Sequence, residues 1–326
     1  MHPSTTLRPS ITYKPALAWF TGIGSAWVFV LVTLGALTTS IGAGMAFPDW
    51  PLSNGSINPE GWLEDLAKFA EHSHRLSGMV MGLITIVIAV WLARQEERRW
   101  VRTLGWWALG IVVVQGLIGG KRVLLDSLAV PGFAMSLGQM LRVPHGVLAQ
   151  LYVCVLIAIV VACSRPWIER PRPVGRRVRL IGLGCCGLLL LQLIVATTMR
   201  HSGAGLAILT FPHSTPDGGW LPENWNIRVG LHFAHRVLAV ILGVALTGFA
   251  VAVRREPHAS RAMRAAAAAL VSLTMLQILL GMEIIRTFRR AGVTTGHVVV
   301  GAILLGLTFC LTWLAHRDRI ERSSAP

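Results

Sequence analysis

Long apolar blocks without charged residues alternate with polar connections over most of this chain. Residues 18–38 and 147–162, for example, contain no charged side chain. A helix that crosses a bilayer needs roughly 20 apolar residues, and eight segments meet this requirement. They lie near residues 17–39, 71–93, 103–120, 143–163, 180–199, 229–253, 264–283 and 294–315. The pattern therefore predicts an all-α, polytopic membrane protein with eight transmembrane helices.

Composition and charge distribution support a membrane protein. Of the 326 residues, 53% are hydrophobic and 14% are charged, whereas about 25% of residues are charged in a typical soluble domain. The formal net charge of +15 could indicate nucleic-acid binding. With the N-terminus inside, however, 19 of the 30 Lys and Arg residues fall in the inner segments, as the positive-inside rule describes. We therefore expect a multi-pass protein of the cell (inner) membrane with cytoplasmic N- and C-termini, and no nucleic-acid partner.

An internal duplication organises the chain. Residues 42–46 (Gly-Ala-Gly-Met-Ala) recur as residues 203–207 (Gly-Ala-Gly-Leu-Ala), and the pair His74-Arg75 recurs as His235-Arg236 at the same offset. The offset between His145 and His297 is smaller, which a shorter connection in the second half would explain. Repeats of this kind indicate repeated structural units. The sequence predicts two duplicated four-helix bundles, 1–163 and 180–326, joined by a basic cytoplasmic linker, 164–179.

Four histidines occupy the outer ends of the even-numbered predicted helices: His74, His145, His235 and His297. Ionisable residues in apolar segments are costly and are functional candidates. A zinc site would need three or four converging ligands, whereas each half supplies two histidines, as axial ligation of a haem iron requires. We therefore predict that the four histidines are axial ligands of haem iron.

Arg75 and Arg236 directly follow two of these histidines. Arginine binds carboxylates with paired hydrogen bonds, so both residues could hold haem propionates. They could equally extend from the helix to the membrane interface without contacting a ligand. Both interpretations stay open.

The two halves differ at one chemically important position. Glu71 lies three residues before His74, on the same helix face. The equivalent position in the second half is His232, which could also compete with His235 as a ligand. A carboxylate beside only one predicted iron suggests that the first half reacts and the second half supports it. The alternative is that Glu71 only caps its helix, since carboxylates are favoured at helix N-termini.

The ordered set of motifs resembles the haem A synthase family over residues 20–315. The resemblance rests on Glu-His-Ser-His-Arg at 71–75, Phe-Pro-Asp-Trp-Pro at 47–51, His145, His235-Arg236 and Thr-Gly-His at 295–297. It implies an oxidoreductase that converts a ring methyl of haem O to the formyl group of haem A through successive hydroxylations. It also implies that haem O is the substrate, that an unidentified acceptor receives the electrons, and that haem O synthase and oxidase assembly factors are partners.

The resemblance also distributes the site residues between the two halves. His74, His145 and Arg75 match the substrate-haem site, with Glu71 as the catalytic residue. Glu71 could act as a base or stabilise positive charge on the methyl carbon, and both roles stay open. His235, His297 and Arg236 match the site of a haem b cofactor. Some family members carry a cysteine pair in the first outer loop, where this chain has Ser53 and no cysteine.

Two other functions could also explain the paired histidines. A b-type membrane cytochrome with two haems could relay electrons from quinol, and a haem transporter or chaperone would also need haem ligands. The electron relay accounts for the histidines but not for the difference between Glu71 and His232.

Overall fold

The structure, a computed structural model, describes residues 11–169 and 172–323. These residues form nine α-helices: α1 (Pro15–Ser40), α2 (Leu66–Gln95), α3 (Arg99–Leu124), α4 (Leu137–Cys163), α5 (Arg165–Glu169), α6 (Arg176–His201), α7 (Ile227–Arg255), α8 (Arg261–Arg286) and α9 (Ala291–Ser323). All except the five-residue α5 are long and apolar enough to cross a membrane. The predicted all-α fold with eight membrane-spanning helices is confirmed.

Several helices begin before the predicted apolar segments. Helix α2 starts at Leu66, where the Asp65 side chain accepts a hydrogen bond from the Lys68 backbone N–H at 2.8 Å. Helix α4 likewise starts six residues before its predicted segment, and Ser136 caps it. These first turns contain polar capping residues, so a search for apolar residues missed them. Because Asp65 caps α2 and Glu71 is its sixth residue, the interpretation of Glu71 as a helix cap is wrong.

The connections differ in length between the two halves. Residues 125–136 join α3 to α4, whereas only residues 287–290 join α8 to α9. This difference accounts for most of the change in sequence offset between the duplicated histidines. The short α5 lies within the predicted basic linker, of which residues 170 and 171 are outside the described part of the chain.

The buried apolar side chains in the described part of the chain form two clusters. One cluster contains residues between 17 and 163, and the other contains residues between 174 and 315. Helices α1, α4, α6 and α9 contact one another between the clusters, and α4 and α9 are the most buried helices. A Cβ atom on Gly306 of α9 would approach Ile157 of α4 to 2.8 Å, so glycine permits this close contact. His145 and His297 therefore lie on the central helices, while the assignment of two functional halves stays a prediction.

Candidate functional site

All four predicted ligand histidines lie at a similar depth from one end of the bundle. His74, His145 and His235 each follow the first residue of their helix by eight positions, and His297 does so by six. At 1.5 Å per residue, eight positions correspond to about 12 Å along the helix. We call this end, which includes the connections 41–65, 125–136, 202–226 and 287–290, the histidine end.

The second pair of histidines faces each other across α7 and α9. The ring centroids of His235 and His297 are 6.4 Å apart, with an angle of 56° between the ring planes. Histidine binds metal ions through bonds of about 2 Å, so this separation can accommodate one metal ion between the rings. Glutamine amides orient both rings: Gln192 lies 3.0 Å from His235 Nδ1, and Gln277 lies 3.2 Å from His297 Nε2.

The first pair, on α2 and α4, has a similar environment. His74 Nδ1 donates a hydrogen bond to the Leu31 carbonyl at 3.2 Å, which leaves Nε2 available as a ligand. His145 lies close enough to His74 for the two side chains to interact electrostatically. A Cβ atom on Gly35 would approach His74 to 2.7 Å, and one on Gly119 would approach His145 to 3.2 Å. Both glycines therefore leave room for the imidazole rings.

The side chains at these positions fit a haem with two axial histidines. The Nδ1 atoms of His145 and His297 are buried and have no hydrogen-bond partner among residues 11–169 and 172–323. Buried polar atoms without a partner are rare, and a ligand is one way to satisfy them. Within the same residues, no three His, Cys, Asp or Glu side chains converge as a zinc site requires. Two opposed imidazoles suit the iron of a planar tetrapyrrole.

Arg75 and Arg236 bind loop carbonyls at equivalent positions in the two halves. Arg75 donates hydrogen bonds to the carbonyls of Phe47, Asp49 and Leu52 at 2.6–2.8 Å. Arg236 does the same at the matching loop positions, with the carbonyls of Ile208, Thr210 and His213 at 2.7–3.2 Å. These contacts give both arginines a structural role in holding a loop against its helix. Their role toward haem propionates stays a prediction.

The first of these loops also contains a largely exposed turn around Asp49. Its carboxylate accepts hydrogen bonds from the backbone N–H groups of Asn54 and Gly55, both at 2.8 Å. Burial acts to raise the pKa of Asp49, but these backbone hydrogen bonds outweigh it and lower the pKa below its ordinary value. Asp49 therefore stabilises the loop as a carboxylate.

Glu71 and His232 bind their loops in the same way but differ in charge. Glu71 is 1% exposed; one carboxylate oxygen accepts the Phe47 backbone N–H at 3.1 Å, and the other accepts a hydrogen bond from Arg75 at 2.7 Å. In the second half, His232 Nδ1 accepts the backbone N–H of Ile208 at 3.2 Å. The loop contact is therefore common to both halves, whereas the negative charge exists only beside His74. Because His232 is engaged with the loop, His235 is the better placed ligand.

Three further polar side chains, which the sequence analysis did not identify, lie around the first histidine pair. Arg122 of α3 is 3.9 Å from the Glu71 carboxylate, and Arg142 of α4 lies one turn from His145. His201, the last residue of α6, interacts electrostatically with both arginines. A comparison of the duplicated halves could have found Arg122, because Ile284 occupies the equivalent position in the second half.

Comparisons with known proteins identify the family of the chain. Residues 18–309 match the family model described as cytochrome oxidase assembly protein. The chain is 23% identical to the haem A synthase of Bacillus licheniformis, over 91% of this chain and 95% of the relative. It is 26% identical to that of Sphingopyxis alaskensis, over 100% and 99% of the two chains. The haem A synthase of Symbiobacterium thermophilum is 30% identical over 68% of this chain and 71% of the relative.

Proposed function

The chain belongs to the family of cytochrome oxidase assembly proteins, and we propose that it is a haem A synthase, an oxidoreductase that converts haem O to haem A. The observation that carries the proposal is the chemical difference between two otherwise similar histidine sites. Both halves provide a pair of neighbouring histidines, but among the described residues only the first pair has a buried carboxylate, Glu71, beside it. Relatives that carry the name haem A synthase align over nearly the whole chain, so both sites lie within the aligned region.

The substrate haem is assigned to the first half, with His74 and His145 as axial ligands. The cofactor, a haem b, would be held in the second half by His235 and His297. When bound, the second haem supplies one-electron transfer. The protein contributes the fixed imidazoles, the glutamine amides that orient two of them, and an apolar surround. The opposed rings of the second pair, 6.4 Å apart, support this assignment.

The proposed reaction is two successive hydroxylations of one ring methyl, each taking its oxygen from water and releasing two electrons and two protons. Loss of water from the resulting gem-diol would give the formyl group. Glu71 is the proposed catalytic residue. Its carboxylate accepts hydrogen bonds from Arg75 and from the Phe47 backbone N–H, which fix its position. A fixed negative charge of this kind stabilises positive charge that develops on the methyl carbon in the transition state. An acceptor of unidentified chemistry would receive the electrons released by the oxidation.

The protein is a multi-pass membrane protein, and its proposed location is the cell membrane with both termini cytoplasmic. The charge distribution of the connections supports this orientation, which places the histidine end on the outer side. Haem O would then reach its site within the membrane, supplied by the enzyme that makes it. Delivery of the product to oxidase assembly factors follows from the same family relationship.

Conversion of added haem O by the purified protein tests the proposed function. The full-length protein in detergent is supplied with haem O and an electron acceptor, and the pigments are extracted and separated by chromatography. We expect haem A from the wild-type protein and none from His74→Ala or His145→Ala. An electron relay would undergo reduction and oxidation but leave haem O unchanged, and a transporter would release haem O unchanged; either result would refute the proposal.

A further inference from the structure

Arg122 is a largely buried cation whose hydrogen-bonding groups are unused. Its side chain is 14% exposed, and its guanidinium lies against Gly44, where a Cβ atom would approach Nη1 to 2.8 Å. The distance of 3.9 Å to Glu71 permits an ion pair but exceeds that of a hydrogen bond. A guanidinium has five N–H donors, and none of those of Arg122 is hydrogen-bonded to a residue in the described part of the chain. Arg122 is therefore free to bind an anionic ligand.

Arg142 and His201 lie on the same side of the first histidine pair as Arg122. Arg142 precedes His145 by three residues on α4, so it lies about one turn nearer the histidine end. One of its terminal nitrogens donates to Asp126 at 2.6 Å, while its buried Nε has no partner among the described residues. His201 lies within range of charge–charge interaction with Arg200, Arg142 and Arg122, and with His145.

The position of His201 follows from the packing of α6 against α4. A Cβ atom on Gly146 would approach Thr197 to 3.2 Å, which places α6 beside α4 at the depth of His145. His201 follows Thr197 by four residues, about one turn nearer the histidine end. The second half thus contributes a side chain to the first histidine site.

In a sequence alignment of the two halves, Arg122 and Arg142 have no arginine counterparts in the second half. The alignment that matches Gln115 with Gln277 places Ile284 at the position of Arg122. The alignment that matches the two α4 and α9 histidines places Thr294 at the position of Arg142. Neither replacement carries a charge. An arginine from another position, Arg289, lies beside Gly205, the counterpart of Gly44.

The second site has a partly buried cation of its own, Arg200, but its guanidinium is bound within the protein. It donates to the Ala36 carbonyl at 3.1 Å and to the Ser40 hydroxyl at 2.9 Å. Ser40 in turn accepts a hydrogen bond at 3.1 Å from Thr295, two residues before His297.

Ser40 occupies the position in the first half that corresponds to His201. Arg75 and Arg236 are common to both sites, but both bind loop carbonyls. Arg122 differs from these arginines because its guanidinium has no hydrogen-bond partner in the described part of the chain, only the ion pair with Glu71.

We propose that Arg122, Arg142 and His201 form a carboxylate-binding site that holds the propionates of the haem bound between His74 and His145. The inference rests on the proposed function, because the proposed function assigns that haem to the first half. Guanidinium groups bind carboxylates with paired, charge-assisted hydrogen bonds, and an imidazole can donate one more N–H. Fixing both propionates at the histidine end also fixes the rotation of the macrocycle, so the same ring methyl is presented to the reactive groups each time.

The test compares haem binding with and without free propionates. Full-length protein in detergent is titrated with iron protoporphyrin IX and with its dimethyl ester, and the haem absorption band is followed. Binding that His145→Ala abolishes is assigned to the first site. The test variants are Arg122→Ile and Arg142→Thr, which copy the residues of the second half. The matched control is Arg286→Leu, because Arg286 is also near the histidine end but its side chain is 70% exposed.

We expect Arg122→Ile to weaken binding of the free acid at the first site by about tenfold or more, as for the loss of a charge-assisted hydrogen bond. Binding of the dimethyl ester should be unchanged, which also shows that the variant is folded. Arg142→Thr should have the same selective effect, Arg122→Lys a smaller one, and Arg286→Leu none.

Equal changes for the free acid and the ester, or no change for either, would overturn the proposed propionate site. Such a result would instead favour another anion, such as a phospholipid headgroup, as the partner of Arg122. If the wild-type protein binds no haem that His145→Ala removes, the proposed function fails and the propionate site fails with it. The two failures are therefore distinguishable.

Discussion

Replacement of Glu71 separates its structural role from its proposed chemical role. Its carboxylate holds the Phe47 backbone N–H and Arg75, but Arg75 keeps three hydrogen bonds to loop carbonyls without it. The substitution Glu71→His copies His232, which accepts the equivalent loop N–H in the second half. Glu71→Gln keeps the size of the side chain and removes the charge. Both variants should therefore retain the loop and bind haem at both sites.

The negative charge that these variants remove contributes a large electrostatic energy at position 71. At an effective dielectric constant of about 20, two unit charges 3.9 Å apart, the distance between Glu71 and Arg122, interact by about 4 kcal/mol. Loss of a preorganised group that stabilises a transition state typically raises the barrier by about 3 kcal/mol, which corresponds to a rate reduction of about a hundredfold. We expect a loss of this size in haem A formation by both variants, with a hydroxylated intermediate accumulating.

The assay combines chromatography of extracted pigments with absorption spectra of the purified proteins. Cells co-express each variant with an enzyme that supplies haem O, and haem A is compared with haem O and any intermediate. Wild-type amounts of haem A in Glu71→His would refute a chemical role and leave Glu71 as a loop-holding residue. Loss of haem from the purified variants would show instead that the carboxylate is needed to maintain the site.

Three further predictions concern the second haem, the topology and the stability of the chain. His297→Ala should abolish the b-type haem spectrum while the first site still binds haem, because each pair ligates its own iron. A reporter fused after Pro326 should be cytoplasmic and one inserted at Asn54 should be extracytoplasmic, as the basic connections require. Glu96→Gln should lower the free energy of unfolding by about 2 kcal/mol, because it removes the charge from a buried pair with Arg98 at 2.8 Å while Arg98 keeps its pair with Glu321 at 3.1 Å. Thermal unfolding in detergent measures this. Burial acts to raise the pKa of Glu96, but its bonds to Arg98 lower it, so the stabilisation is fully present above about pH 4.5 and is lost as the pH falls through the lower folded value.

Each of these predictions has a control and a contrary outcome. If His74→Ala removed the b-type spectrum and His297→Ala did not, the assignment of the two halves would be reversed. Reporter results of the opposite sign would place the histidine end on the cytoplasmic side. Glu169→Gln is the control for Glu96→Gln, because its ion pair with Arg165 is largely exposed and should contribute less than about 1 kcal/mol. Equal stability losses in the two variants would contradict the role assigned to burial.

The sequence alone determined the membrane architecture and the candidate ligands. Eight apolar blocks of sufficient length predict eight spans, because bilayer thickness sets a local requirement that each segment meets or fails by itself. The duplication identified His74, His145, His235 and His297 together, since the offsets between motifs can be read directly from the chain. The difference between Glu71 and its counterpart in the second half was visible for the same reason.

Tertiary structure decided which groups surround those ligands. Whether Arg75 points to a loop or to a ligand depends on how the connection folds over α2, which no local pattern specifies. The position of Arg122 opposite Glu71 depends on the packing of α3 against α2, and that of His201 on the contact between α6 and α4. The starts of the helices were also misplaced, because capping residues such as Asp65 are polar and interrupt the apolar pattern. Local hydrophobicity fixes which segments enter the membrane, whereas contacts between distant helices determine what each side chain meets there.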